Sequence, residues 1–144
     1  RYPDLIVHRL LEQYIQDKTI PLNEFAKYEK IAADASIKEK GAAEAERDSV
    51  KYKQVEYMSK HVGEEFEGII SGVTEWGIYI EETETRSEGM AKLRDMNDDF
   101  YTLDQKTYSL VGRKSGKRFT LGDKVKFKVA HTDLEKKIID YKLL

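Results

Sequence analysis

The apolar residues change their period once along this chain, near Gly63. Before that point they recur every three or four positions, and after it they alternate. A period of 3.6 puts apolar side chains on one helix face, and a period of two puts them on one strand face. The fold class is therefore α+β, with helices first and a sheet after them.

The helical part opens at Pro3 and Asp4. Proline in a first turn loses no hydrogen bond, and a carboxylate there meets the positive end of the helix dipole. Leu5, Val7, Leu10, Leu11 and Tyr14 follow at helical spacing, to a helix end at Ile20 before Pro21. Asn23 suits an N-cap for a second helix, with Phe25, Tyr28, Ile31, Ala32 and Ala35 on one face. Ser36 and Glu39 form a capping-box pattern for a third, running to about Lys60, with Gly41 inside its first turns. Three such helices have broad apolar faces and too few partners among themselves. Residues 1–61 read as part of a larger body, and Arg1 opens directly onto a helical pattern, as in a chain cut from something longer.

The strand part needs only about 80 residues. Phe66, Ile69, Ile70 and Val73 make a first strand, with Gly68 and Gly72 permitting strong curvature. Gly77–Ile80 and Met90–Leu93 make the next two, separated by a polar turn over Thr83–Ser87. Val125, Phe127 and Val129 alternate with Lys124, Lys126 and Lys128, and Ile138, Ile139 and Tyr141 close the set. Five strands of this kind over residues 62–144 fit a five-stranded OB barrel. The connection from Met96 to Thr120 is long for a loop and is expected to carry short strands at Tyr101–Leu103, Tyr108–Val111 and Lys117–Thr120.

Charge is distributed unevenly along the 144 residues. The net charge is −2, from 25 Lys and Arg against 27 Asp and Glu. Residues 62–104 hold 3 basic and 12 acidic side chains, a net of −9, while residues 105–144 hold 11 basic and 4 acidic, a net of +7. The basic block includes Arg113, Lys114, Lys117, Arg118, Lys124, Lys126 and Lys128. A local field of one sign steers a polyanion even on a neutral protein. Lysines on a strand face also guard against edge-to-edge aggregation, and charge alone does not separate the two readings.

Several chemistries are excluded or weak. With no cysteine, the chain has no disulfide, zinc–thiolate site or thiol nucleophile. No apolar run reaches membrane-spanning length, and no signal-peptide pattern opens the chain, which fits a cytoplasmic protein. Asp95, Asp98 and Asp99 form the main acidic cluster, but without a calcium-loop pattern they read as a solvated turn. His8, His61 and His131 lack ligand spacing. No nucleophile elbow, Walker loop or dinucleotide fingerprint is present. The chain reads as a binding module. Trp76 and Tyr79, on either side of Gly77, are its best candidates for base stacking, provided a twist or bulge at Gly77 displays both. Nearby lysines would then hold phosphates. The alternative is Tyr79 in the core and Trp76 at the rim.

The run Gly72-Val73-Thr74-Glu75-Trp76-Gly77-Ile78-Tyr79-Ile80, followed by Glu88-Gly89-Met90, resembles the S1 domain, an RNA-binding OB fold. The resemblance covers residues 62–144 and implies that Trp76 and Tyr79 stack bases. Lys92 stands where the family often has a histidine and implies a phosphate contact. Asp133 and Lys137 match an acidic and a basic position around the final turn, with Lys124 and Lys126 as further RNA contacts. Upstream, Arg1-Tyr2-Pro3-Asp4-Leu5-Ile6-Val7-His8-Arg9 and Ala45-Glu46-Arg47-Asp48 resemble the end of the catalytic domain of the ribonuclease II/R (RNB) superfamily. Asp98–Tyr101 through Gly122-Asp123 resembles an insert in the S1 domain of its ribonuclease R branch.

The resemblance implies a parent protein that degrades RNA processively from the 3′ end to nucleoside monophosphates with Mg2+. The family's catalytic aspartates and a signature arginine would precede Arg1, so these residues alone should be inactive and bind no metal. Glu46 matches a position near the channel of the parent. Single-stranded RNA is the expected partner, with an intramolecular contact to the rest of the catalytic domain and no membrane. A second reading is an S1-type module whose helical extension docks a protein, and a third is a nuclease using Asp95, Asp98 and Asp99.

Overall fold

The computed structural model describes residues 1–16, 18, 19 and 22–144. Cα packing divides the chain into two compact units, Arg1–Asp48 and Ser49–Leu144. No described helix is long and apolar enough to cross a membrane.

The first unit is helical. Helix α1 spans Tyr2–Ile15, with Pro3 and Asp4 in its first turn as expected. Arg1 sits over that turn, its guanidinium 3.0 Å from Asp4 and 3.2 Å from Glu39. The expected helix end at Ile20 and Pro21 lies outside the described residues. The next helix corrects the sequence reading: α2 runs unbroken from Leu22 to Ser59, where two helices were expected. Asn23 lies inside it, and Ser36 caps nothing. The Ser36 hydroxyl donates back to the Ala32 carbonyl at 2.9 Å, the bond a serine makes within a continuing helix. The run of Ala, Glu and Lys around Ser36 favours helix strongly enough to carry it through. Leu5, Val7, Leu11, Tyr14, Ile15, Phe25 and Ile37 are all exposed.

The second unit begins with the last turns of α2, thirteen residues before position 62. Val55 and Met58 are fully buried and belong to the core cluster of the strands. Lys51 and Gln54 donate to the Glu88 and Arg86 carbonyls at 2.6 and 2.9 Å.

Eight strands follow: β1 (Glu65–Thr74), β2 (Gly77–Glu82), β3 (Glu88–Lys92), β4 (Tyr101–Asp104), β5 (Ser109–Gly112), β6 (Arg118–Thr120), β7 (Lys124–Asp133) and β8 (Ile138–Leu143). Five of them close a barrel in the order β1-β2-β3-β8-β7, and β4-β5-β6 form a separate antiparallel sheet. Closure comes from β1, which pairs with β2 and with β7, and from a short parallel contact of β3 with β8 at Met90–Asp140 and Ala91–Tyr141. This is the five-stranded barrel with an elaborated connection that the alternation implied.

Ile70, Ile78, Ile80, Phe127, Val129, Ile139 and Tyr141 fill the barrel, each nearly or fully buried. The Phe127 and Tyr141 rings meet at 4.1 Å. Tyr141 brings a hydroxyl into this core and satisfies it by donating to the Ser87 carbonyl at 3.0 Å. The β4–β6 sheet adds Tyr101, Leu110 and Phe119 to the same core. Glu82 is a buried carboxylate at the end of β2. Burial pushes its pKa up, but donors from the Glu84 and Thr85 backbones and the Thr85 hydroxyl outweigh that and hold it below the ordinary range.

Candidate nucleic-acid interface

Trp76 stands on the two-residue turn between β1 and β2, not on the second strand. Its indole is 71% exposed. The turn is held rigidly: the Leu93 amide donates to the Trp76 carbonyl at 2.9 Å, and the Thr74 hydroxyl to the Gly77 carbonyl at 2.9 Å. Gly77 has φ +155°, and a Cβ there would collide with the Ala91 carbonyl oxygen of β3. Only glycine permits that approach, so it locks the turn onto β3. The bulge expected at Gly77 lies elsewhere, between Ile70 and Gly72 on β1. Tyr79 follows on the outer face of β2, 37% exposed, and its ring covers Gly72. The two aromatics are both displayed, but because one is on a turn and the other on a strand.

Pairing extends a row from Tyr79 across the barrel surface, through Met90 on β3 and Asp140 on β8 to His131 on β7. Lys92 joins it: its ammonium lies 2.6 Å from Asp140 Oδ2, with the side chains 25% and 18% exposed. The other Asp140 oxygen is shut off from solvent with no hydrogen-bond partner. His131 Nδ1 is 4.0 Å from the same carboxylate. The Lys92 charge is thus already matched within the protein.

A cavity of about 900 Å³ opens beside Trp76, between the barrel and the β4–β6 sheet. Trp76, Met90 and Lys92 line it from the barrel, Arg94 and Met96 from the connection, and Phe100 and Lys114 from the sheet. Its size is that of small-ligand sites, and its lining combines aromatic and thioether surface with the cations Lys92, Arg94 and Lys114 and the carboxylates Glu75, Asp98 and Asp99. Sequence reasoning counted Lys114 only in the basic block and did not single out Phe100 or Arg94. Phe100 and Lys114 are 14 positions apart, and the β4–β5 pairing together with Asp99 brings their backbones together.

The remaining candidates lie apart from this groove. Lys124, Lys126 and Lys128 are exposed on β7, and β1 places Ile69, Glu67 and Glu65 directly opposite them. Lys126 pairs with Glu67 at 3.3 Å. Two lysines of the basic block thus face glutamates of the acidic block across one ladder, and one of them makes an ion pair. Asp133 and Lys137 shape the β7–β8 turn. The Lys136 amide donates to the Asp133 carboxylate at 3.0 Å and holds its pKa below the ordinary value, while Lys137 adopts φ +55°. Glu46 is exposed in α2, within the helical unit.

Asp95, Asp98 and Asp99 do not converge. Asp98 accepts from the Tyr101 hydroxyl at 2.8 Å, and together with burial this raises the phenol to about 12. Asp99 accepts from the Ser115 amide and hydroxyl, each at 2.7 Å, from Phe100 N at 2.6 Å and from Lys114 N at 3.0 Å. These donors, Ser115 foremost, hold its pKa at about 2. The cluster braces a loop. Among the described residues no group of three or more His, Asp or Glu is placed to hold a metal ion.

Ribonuclease R 1 of Lactococcus lactis is 39% identical over 148 residues, covering 100% of this chain and 18% of that protein. The structures of Mycoplasma genitalium RNase R, in its apo form and with ribose methylated single-stranded RNA, each superpose with a TM-score of 0.88 at 30% identity. Each covers 100% of this chain and 23% of that one. The chain thus spans about a fifth of the length of the relatives it matches. The S1 RNA-binding domain family matches residues 59–142, a span that takes in the closed barrel, the Trp76 turn and the inserted sheet, and the chain belongs to that family.

Proposed function

We propose that this chain is the RNA-gripping segment of a ribonuclease R-like exoribonuclease, which degrades RNA processively from its 3′ end to nucleoside monophosphates. The observation that carries the reading is Trp76: a 71% exposed residue on a turn that Gly77 and Leu93 hold rigid, at the mouth of a groove that Arg94 and Lys114 also line. A base stacked on such a ring gains about 1–3 kcal/mol whatever its identity, because every base has a π face. That suits an enzyme that must hold any sequence and still let it slide. Tyr79 offers the next aromatic surface along the barrel, with Lys92 beside it, and Asp133 and Lys137 at the β7–β8 turn extend the contact. The complex of Mycoplasma genitalium RNase R with single-stranded RNA supports this partner.

Residues 1–61 belong, in this reading, to the tail of the catalytic domain, and residues 62–144 to the S1 domain. The exposed apolar residues of α1 and α2 would then be covered by the rest of the catalytic domain, with Glu46 near its channel. Mg2+ would supply hydrolytic chemistry on carboxylates outside these residues, and none of the steps argued for this chain uses it.

The test is a titration with oligoadenylate at low and high salt, followed by Trp76 fluorescence in the wild-type chain and by anisotropy of the labelled oligonucleotide in both the wild type and Trp76→Ala. The expected result is quenching, an affinity that falls steeply with salt, and a loss of roughly 5- to 150-fold in Trp76→Ala. No fluorescence change at low salt with the fold intact would refute it. Salt-insensitive binding untouched by Trp76→Ala would point instead to a protein-docking module.

A further inference from the structure

The groove beside Trp76 holds a second aromatic side chain with an unusual mounting. Phe100 is 74% exposed and lines the same cavity. A single exposed phenylalanine is ordinary on a protein surface. Here, however, the backbone on both sides of the ring is fixed. The Asp99 carboxylate accepts from Phe100 N at 2.6 Å, and the Arg113 amide donates to the Phe100 carbonyl at 2.9 Å. The next residue, Tyr101, is buried and paired with Gly112. A Cβ on Gly112 would come 2.6 Å from the Asp99 carboxylate and from the Ser115 hydroxyl and would displace one of them. The ring alone is left in solvent, on a rigid mount.

The same brace positions a cation. Asp99 also accepts from the Lys114 amide at 3.0 Å and so ties the β5–β6 turn to Phe100. Lys114 lines the groove, and among the described residues its ammonium has no ion pair. Its neighbour Lys117 is instead paired with Asp98 and lies over the Phe119 ring. Of the two basic stretches of the sequence, two of the three β7 lysines face glutamates across a ladder, and the β5–β6 turn carries Arg113 and Lys114 with no ion pair among the described residues. A rigidly mounted aromatic face and an uncommitted ammonium on one cavity, their backbones tied to one carboxylate, are the parts of a nucleotide site.

We infer that Phe100 and Lys114 form a second nucleotide subsite on the β4–β6 sheet, with one base stacked on Phe100 and an adjacent phosphate held by Lys114, next to the base stacked on Trp76. The inference rests on the RNA-binding reading above and adds that the inserted sheet is half of the RNA site. Aromatic mounts on two different elements would hold successive bases without reading their identity.

The experiment is fluorescence anisotropy of labelled oligoadenylate of about ten nucleotides, titrated with the full chain and its variants across a salt series. Circular dichroism confirms the fold of each variant. Phe100→Ala is expected to weaken binding at least about fivefold. Phe100→Trp should keep the affinity, and Phe100→Leu, apolar but without a π face, should lose as much as alanine. Lys114→Ala should reduce the slope of log K against log salt by about 0.7, the single-strand value for one phosphate. Wild-type affinity in Phe100→Ala or Phe100→Leu, with Trp76→Ala still impaired, overturns the subsite and leaves RNA on the barrel. No loss in either Phe100→Ala or Trp76→Ala overturns both readings.

Discussion

Lys92 offers a test of whether the groove is held together by the ion pair beneath it. Its ammonium sits 2.6 Å from Asp140, and the two side chains are only 25% and 18% exposed. Replacing it with methionine keeps the aliphatic stem and removes the charge. Asp140 is then left with one oxygen newly unpaired and another that already has no partner and no solvent. Breaking a buried pair in this way costs about 3–5 kcal/mol, and the residual exposure here brings the expectation to about 2–3 kcal/mol. For a unit of this size that is a fall in Tm of roughly 10–20 °C. Near-ultraviolet circular dichroism of the buried tyrosines reports the melting of the barrel. The double variant Lys92→Met with Asp140→Leu removes both charges together and should recover most of the loss, because apolar replacement of a buried pair is often close to neutral. A single variant melting within 2 °C or so of wild type, on that same scale, would show that the pair is solvated and that the argument from its burial is wrong.

Other expectations concern separate parts of the unit. Gly77→Ala should destabilise the barrel by about 2–4 kcal/mol, from the positive φ and the overlap with Ala91, read by urea unfolding. Asp99 has a folded-state pKa of about 2, below its unfolded value, so the stability it lends is complete above roughly pH 4 and is lost as the pH falls toward 2. Asp104, Asp123 and Asp133 are lowered in the same direction. The Ser115 and Lys114 amides should accordingly keep their NMR positions from pH 7 to 5 and shift only below about pH 4. Lys126→Ala should change RNA affinity less than about twofold, since an exposed pair with Glu67 already occupies that charge, and the anisotropy assay measures it directly.

Much of the barrel was legible because alternation is a local signal. Val125, Phe127 and Val129 announce their strand and their inward face without reference to any partner. The three short strands of the insert were legible from the same pattern and from the length of the connection. What failed to be legible was decided at a distance. Ser36 carries a capping-box pattern, but whether a serine caps a helix or bonds back within it depends on the helix already formed on its N-terminal side. The lysines of β7 read along the chain as a run of one sign, while the ladder with β1 sets Glu65 and Glu67 against two of them. Charge counted along the chain cannot see pairing across it. The exposure of Trp76 was legible, but its place on the turn before β2 was not, since a two-residue turn and a strand end look alike in sequence. Phe100 and Lys114 carried no shared signal at all. They meet because Asp99, an apparently solvated acid in a polar loop, spends its oxygens on the amides of both.

The most direct test of RNA binding at the Trp76 groove is a map of amide chemical-shift changes as oligoadenylate is added to the isotope-labelled chain. The account predicts changes concentrated at Glu75–Gly77, Met90–Arg94, Asp99–Tyr101 and Lys114, with a weaker response at Tyr79. Changes centred on Lys124–Lys128 of β7 or on the helical unit, with the Trp76 turn unmoved, would contradict it.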